Sequence, residues 1–470
     1  MSNTPDSKQI LSDLEDQFEA QVEELRKIKN KGYRLKGPKD LAELEKKLQD
    51  PVKAMGDTVA GIKIQEHLDE PEQKDSEQEL VKASPTKMRN EGPRVVNIRL
   101  LGGTLISVVT NYYNYKGLLA AHKGKRGHYP SLLLLGVSNR HSPAMESLLS
   151  LFATAASSLA EARQLIKESL GFDVDVKAIR SLVKRLAARA RACIDLDQVE
   201  QPDDFTGKIV AASTDGGRIR IRKNKRGRKT TKGRTRYQTD WREPKLLIIY
   251  VIGPNGRQEK SVSPIIDATL NGPDETFALL AYYLKKLQVK AADLLLFVSD
   301  GAKWIWERAR QLAKKIGMTS DRCLFALDYY HAVEHLTELA SLKRWDKKQK
   351  RSWINMQKKR LIKGKLKAFI ESITSACKGS KNSLLKREYG YFKSHLCHME
   401  YAKLKAQGLP IGSGAVESGI RRVINLRLKG PGIFWHEDSA DAMLMLRSYY
   451  KAGRWEMLIN MAHSGGLATR

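Results

Sequence analysis

Apolar residues at Ile10, Leu14, Phe18, Val22 and Leu25, and again at Leu41, Leu44 and Leu48, recur at helical spacing. The chain therefore opens with two short helices. Residues 66–92 are polar, charged and broken by prolines, a composition that predicts a flexible linker and closes an N-terminal segment spanning 1–92. From Pro93 the period changes to two over RVVNIRLLGGTLISVVTNYYNY, which is rich in β-branched residues and tyrosine, with Gly102 and Gly103 at the turn. This predicts a small β-hairpin module over 93–147.

Helical spacing returns over 143–197. ESLLSLFATAASSLAEARQLIKESLG runs to a stop at Gly171, and DVDVKAIRSLVKRLAARARACI forms a basic second helix after a short turn. The order helix, turn, basic helix suits a DNA-binding helix-turn-helix over 148–205, with Lys177, Arg180, Lys184, Arg185 and Arg189 as phosphate or groove contacts. An ordinary helical hairpin with a solvated basic face fits the same pattern.

From residue 206 the order is strand (KIVAASTD), basic hairpin, strand (KLLIIYVIG), strand (KSVSPIID), helix, strand (ADLLLFVSD), helix and strand (RCLFALD). Three strands followed by alternating helices and strands predict an α/β layered domain on a mixed sheet, with 206–334 as its first part. Residues 335–407 are Lys-rich and compatible with helix throughout, and read as a helical insertion. The layered domain resumes over 408–470.

Charge narrows the possible partners. Across 470 residues, 83 Lys and Arg stand against 53 Asp and Glu, a net charge of +30. This implies a polyanion partner, most naturally nucleic acid. A chain this long predicts roughly three domains. The apolar runs LLIIYVI and LLLFV fall far short of the roughly 20 residues of a membrane-spanning helix. The N-terminus has neither a basic leader nor an apolar stretch, so a cytosolic location and no membrane partner are expected. Cys193, Cys323, Cys377 and Cys397 form no CxxC pair, which argues against a zinc knuckle or a disulfide framework.

In so basic a chain three acids stand out. Asp215 in AASTDGGR and Asp300 in FVSDGAKW each follow a buried apolar strand, which puts them at the strand C-termini where open α/β sheets gather ligands. If those strands are neighbours, the two carboxylates converge and repel unless a hard divalent cation lies between them. Two ions about 4 Å apart would serve in-line phosphoryl transfer, activating the attacking oxygen and stabilising the leaving one. Glu417 in IGSGAVESGIRR lies at the edge of an apolar stripe of Val416, Ile420 and Val423 and could complete the cage. Plainer roles also fit: Asp-Gly is a common turn former, and Glu417 could pair with Arg421 four residues on.

Basic runs flank these acids. Residues 216–239 carry eleven Lys or Arg and no acid. Arg218, Arg220 and Arg222 alternate onto one face of a strand, and Lys223, Lys225, Arg226, Arg228 and Lys229 follow. Such a run suits phosphate neutralisation, although a solvated hairpin would look the same. Arg421, Arg422, Arg427 and Lys429 travel with Glu417. The turn at Gly430, Pro431 and Gly432 presents Phe434 and Trp435, either to a flipped base or to the core.

At STDGGR, WREPK, VSDGAKWIW, LDYYHAVEHL and GSGAVESGIRRVINLRLKGPGIFW, across about 206–456, the chain resembles bacterial insertion-sequence transposases of the Asp-Asp-Glu class, closest to the Kra-type group. The resemblance implies a ribonuclease H-like domain whose five-stranded sheet runs 3-2-1-4-5, with the helical insertion between the second Asp and the Glu. It implies that Asp215, Asp300 and Glu417 hold two Mg²⁺ or Mn²⁺ ions. Asp328 and His331 in LDYYH match an Asp-or-Cys-x-x-His motif that arranges the site or the DNA strands, although His331 alone could equally be structural. The implied activity is cleavage at the terminal repeats of a mobile element and joining of the freed 3′-hydroxyl to target DNA, by a dimer or larger assembly on the nucleoid. The zinc-type cysteines of some relatives are missing. A nuclease of the same fold without strand joining, and a non-catalytic DNA-binding derivative, are the competing readings.

Overall fold

Polar residues organise the N-terminal part of the computed structural model, which describes residues 6–115, 127–231, 233 and 235–464. The two opening helices are long, Ser7–Asn30 and Pro38–Asp69, and a third, Pro71–Ala83, occupies the middle of the expected linker. That expectation fails because buried polar side chains hold the segment. Gln65 accepts from the Val109 amide at 2.7 Å and donates to its carbonyl, and Gln73 donates to the Ser131 carbonyl. Glu77 accepts from Asn111 at 3.0 Å and from Ser131. A satisfied polar group can be buried at little cost, so polarity alone does not make a linker.

These helices cover a hairpin of β1 (Met88–Arg99) and β2 (Leu105–Tyr115), with Leu14, Leu68, Val96, Ile98, Ile106 and Val108 in the shared core. The turn is the expected one. Gly103 has φ +97°, and the Asp57 carboxylate accepts from the amides of Gly102 and Thr104, both at 2.8 Å. The hairpin begins before Pro93, with a register shift between Asn90 and Pro93.

The region read as one helix ending at Gly171 is two, Pro143–Ala155 and Leu159–Leu170. Ser158 caps the second by accepting from the Glu161 amide at 3.0 Å, and Glu161 accepts in turn from the Ser157 amide at 2.7 Å. Local capping of this kind competes with helix continuation. Gly171 (φ +76°) ends the helix, and the basic helix Val176–Asp195 follows. On that helix Lys177 and Arg180 are exposed. Arg185, also exposed, donates to the Ser138 hydroxyl at 2.8 Å, whereas Arg189 turns inward and pairs with the fully buried Glu146. Arg189 is thus spent on a buried carboxylate, which removes it from the expected phosphate contacts.

The chain divides into two compact units, Met1–Gln198 with Ile459–Arg470, and Val199–Leu458. The second is mixed α/β. Its sheet runs β7 (Ile265–Thr269), β6 (Lys245–Val251), β3 (Ile209–Gly216), β8 (Leu294–Ser299), β9 (Cys323–Leu327). Counted along the chain, that is the order 3-2-1-4-5. β6 is antiparallel to β3 and to β7, whereas β3, β8 and β9 are parallel. All seven residues of β6 are buried, as expected for a strand covered on both faces. A second hairpin, β4 (Ile219–Asn224) with β5 (Tyr237–Arg242), leaves the end of β3. Between β9 and the helix Gly414–Gly419 lie only helices, including Lys347–Ile362, Leu366–Cys377 and Ser383–His395. No helix among the described residues is long and apolar enough to cross a membrane.

Candidate active site

β3 and β8 are adjacent and parallel, and their ends are pinned together: the Ser299 hydroxyl accepts from the Thr214 amide at 3.1 Å and donates to the Thr214 carbonyl at 2.9 Å. Asp215 and Asp300, one residue beyond, therefore emerge side by side. Burial, then the neighbouring Asp300 carboxylate, pushes the Asp215 carboxyl up to about 6. Burial also raises Asp300, and it raises Glu417, with Asp328 adding to the latter. His331 opposes the rise at all three. The three acids thus share one electrostatic site.

Glu417 reaches it by a tether. The helix Tyr329–Ser341 carries the chain into the insertion, and the returning segment is fastened to its first turn: the Tyr329 amide donates to the Ile411 carbonyl at 2.9 Å. Asp328, wholly buried, caps that helix by accepting from the His331 amide at 2.9 Å, and its other oxygen accepts from both the amide and the hydroxyl of Ser413. Ser413 directly precedes the Glu417 helix. Asp328 therefore faces the interior as a positioning group, while His331 is partly exposed. No Glu417–Arg421 pair forms among the described residues, so the plain alternative for Glu417 is not realised.

After Glu417 the helix widens into a π turn over Ile420–Asn425. Buried Arg447 stabilises it by donating to the carbonyls of Val423 at 2.9 Å and Arg422 at 2.5 Å. Gly217 admits this segment. A Cβ there would stand 2.6 Å from Ile424 Cδ1, which explains the second glycine of Asp-Gly-Gly.

The expected DNA contacts divide. Arg218, Lys223, Lys225, Arg226, Arg228, Lys229, Arg421 and Lys429 are exposed, and Arg220, Arg222 and Arg422 are partly so. Arg427 and Trp435 are buried, which corrects their assignment to DNA. The Arg427 guanidinium lies 5.0 Å from the Trp435 ring, and Trp435 Nε1 donates to the Leu428 carbonyl. Trp435 also pairs by its backbone with β4, exchanging bonds with Arg222 and Arg220. The glycine-proline-glycine turn thus folds this segment back onto the hairpin.

Two residues at the site gave little signal in the sequence. Lys245, the last residue of WREPK, is buried with its ammonium 4.1 Å from the Trp304 ring and 2.5 Å from Glu243, and it lowers Asp300. Tyr391 comes from the insertion. Its hydroxyl is buried without a hydrogen-bond partner among the described residues, and burial, with Asp300 next, holds its proton on tightly. The ring would lie 2.1 Å from a Cβ at Gly301, so only glycine fits after Asp300.

The donor set suits hard divalent ions. Asp215 Oδ1 accepts from the Gly216 amide and Asp300 Oδ1 from the Ala302 amide, which leaves the second oxygen of each without a hydrogen-bond partner among the described residues. The triad is not among the groups of ligand atoms lying within 4.8 Å of one another. One Mg²⁺ bound at 2.0–2.1 Å would need its ligands within about 4.2 Å, whereas two ions about 4 Å apart span a wider set. The group whose ligand atoms do lie within 4.8 Å of one another is His335, Glu338 and Glu388. Arg387 already pairs with both of its carboxylates, at 2.7 Å from Glu338 and 2.9 Å from Glu388. Comparison with protein-family models and with curated proteins gave no match to either.

Two exposed cations beside the site, Arg421 and Lys429, form no ion pair among the described residues. If both contact phosphates, Arg421→Ala and Lys429→Ala each lower the slope of log affinity against log salt by about 1 for a 20-bp duplex, measured by fluorescence anisotropy.

Proposed function

We propose that the chain is a DNA transposase with a ribonuclease H-like catalytic domain, cutting element ends and joining them to target DNA by divalent-metal-dependent phosphoryl transfer. The observation that carries this reading is that Asp215, Asp300 and Glu417 interact at the C-terminal ends of the inner strands β3 and β8 of a 3-2-1-4-5 sheet, from three separate parts of a chain of net charge +30.

Asp215, Asp300 and Glu417 would hold the ions. Bound there, Mg²⁺ or Mn²⁺ would supply activation of the attacking oxygen and neutralisation of charge on the leaving one. The chain's own groups do the rest. Asp328 fixes the Glu417 helix against β9, the Ser299–Thr214 bonds fix the separation of the two aspartates, and exposed Arg421 and Lys429 orient the phosphates beside the site. His331 would balance the carboxylate charge.

Strand joining separates this reading from a nuclease. The substrate is a duplex from the inverted repeat flanking the reading frame, pre-cut to expose its 3′-hydroxyl, incubated with plasmid and Mg²⁺. Covalent end-to-plasmid products are expected. Cutting of the uncut repeat without any joining of the pre-cut end overturns it.

A further inference from the structure

The basic hairpin carries more than charge. Arg220 stands directly opposite Trp241 across β4 and β5, and Ile219 and Ile221 point to the core, so the arginines share the outer face with Trp241 and Tyr237. On that face cations and rings alternate. Trp241 lies 4.6 Å from Arg218 and 5.6 Å from Arg220, Arg220 lies 4.6 Å from Phe434, and Arg222 lies 4.6 Å from Tyr237. Phe434 and Tyr237 touch at 5.8 Å. Trp241 is nevertheless 47 % exposed and Tyr237 43 %. The row ends in a cleft of about 580 Å³ bounded by Gly216, Trp241, Asn425 and Lys429, and Gly216 adjoins Asp215.

We propose that this face is a stacking platform for unpaired DNA, on which a base next to the reacting phosphate lies against Trp241 while Arg218 and Lys429 hold its phosphates. This rests on the reading of the chain as a DNA-processing enzyme. Bases in an intact duplex already cover one another, so an exposed indole stacks on an unpaired base without the unstacking cost that a duplex imposes. Arginine planes and aromatic rings suit such a strand whatever its sequence. Neither Arg218 nor Lys429 is ion-paired among the described residues, and no acid lies between 216 and 239, so the charge favours a polyanion over a protein surface. The cleft lies in the size range of small-ligand sites, large enough for one nucleotide.

The test uses the full chain in EDTA, so that catalysis plays no part, with fluorescein-labelled (dT)20 and a mixed-sequence 20-bp duplex as probes. Trp241→Leu weakens (dT)20 binding about tenfold or more, Trp241→Phe restores most of it, and duplex affinity changes less than about threefold in both. A (dT)20 containing one 2-aminopurine loses fluorescence on binding the unaltered protein, a readout that does not depend on any variant folding. Equal weakening of both probes, or no 2-aminopurine quenching, overturns the platform and leaves the DNA-processing reading intact. Failure of the unaltered protein to bind either probe overturns that reading and the platform with it.

Discussion

Asp215→Asn is expected to stabilise the metal-free chain at pH 8 by about 1–3 kcal/mol while lowering strand cleavage at least about 10³-fold. The sign follows from the raised carboxyl. Its folded value of about 6 lies above the ordinary 3.8, so between pH 4 and 6 the folded state binds more protons than the unfolded one. Stability contributed by the neutral carboxyl is full below pH 4 and is lost as pH rises through 6. At 1.36 kcal/mol per unit, the loss reaches about 3 kcal/mol. Asparagine cannot ionise and so escapes it. If the triad holds Mg²⁺, the ion is expected to restore the loss in the unaltered protein by binding only the folded carboxylates, and to do little for the variant. Urea unfolding at pH 5 and pH 8, in EDTA and in Mg²⁺, measures all four cases. A variant less stable at pH 8 in EDTA, or protected equally by Mg²⁺, would contradict this account of the site.

Asp328→Asn has a comparably large effect for a different reason. The aspartate is fully buried and accepts from Ser413 twice on one oxygen. Asparagine either turns its NH₂ toward those donors or gives up the His331 cap. Hydrogen bonds to a buried charge are worth about 1.5–3 kcal/mol each, so a loss of about 2–4 kcal/mol is expected. The Glu417 helix then loses its tether, and a shift of about 1 Å suffices for a loss of about 10²-fold in cleavage rate. Because Asp328 faces the interior, duplex affinity stays within about twofold. Ser413→Ala should reproduce part of the rate loss. Cleavage by Asp328→Asn at the unaltered rate would remove its positioning role.

How much of this was legible in the sequence depended on whether local pattern or tertiary contact decided each element. Asp215 and Asp300 could be read because an apolar strand followed by Asp-Gly fixes their position locally, and the sheet order then brings them together. Glu417 could be read from its place beside Val416 and Ile420. The helical insertion was visible as an interruption of the strand rhythm, but Tyr391 within it was not, since nothing in its own helix marks contact with Gly301. Gln65, Gln73 and Glu77 are polar yet buried by partners 44 to 58 residues away or, for Asn111, 34 away, and so a folded segment looked like a linker. Arg189, Arg427 and Trp435 failed in the same way. Each has a composition suited to DNA, and each is taken up by an interior partner that only the fold reveals. The π turn after Glu417 depends on Arg447, which lies beyond any local window.

The central claim is that the three acids form one metal-dependent phosphoryl-transfer site. Its most direct test is single-turnover cleavage of the flanking inverted-repeat duplex in Mg²⁺ by Asp215→Asn, Asp300→Asn and Glu417→Gln, each first shown to bind that duplex as tightly as the unaltered chain. The account predicts that every one of the three falls at least about 10³-fold in rate with binding preserved. Full-rate cleavage by any one of them would contradict it.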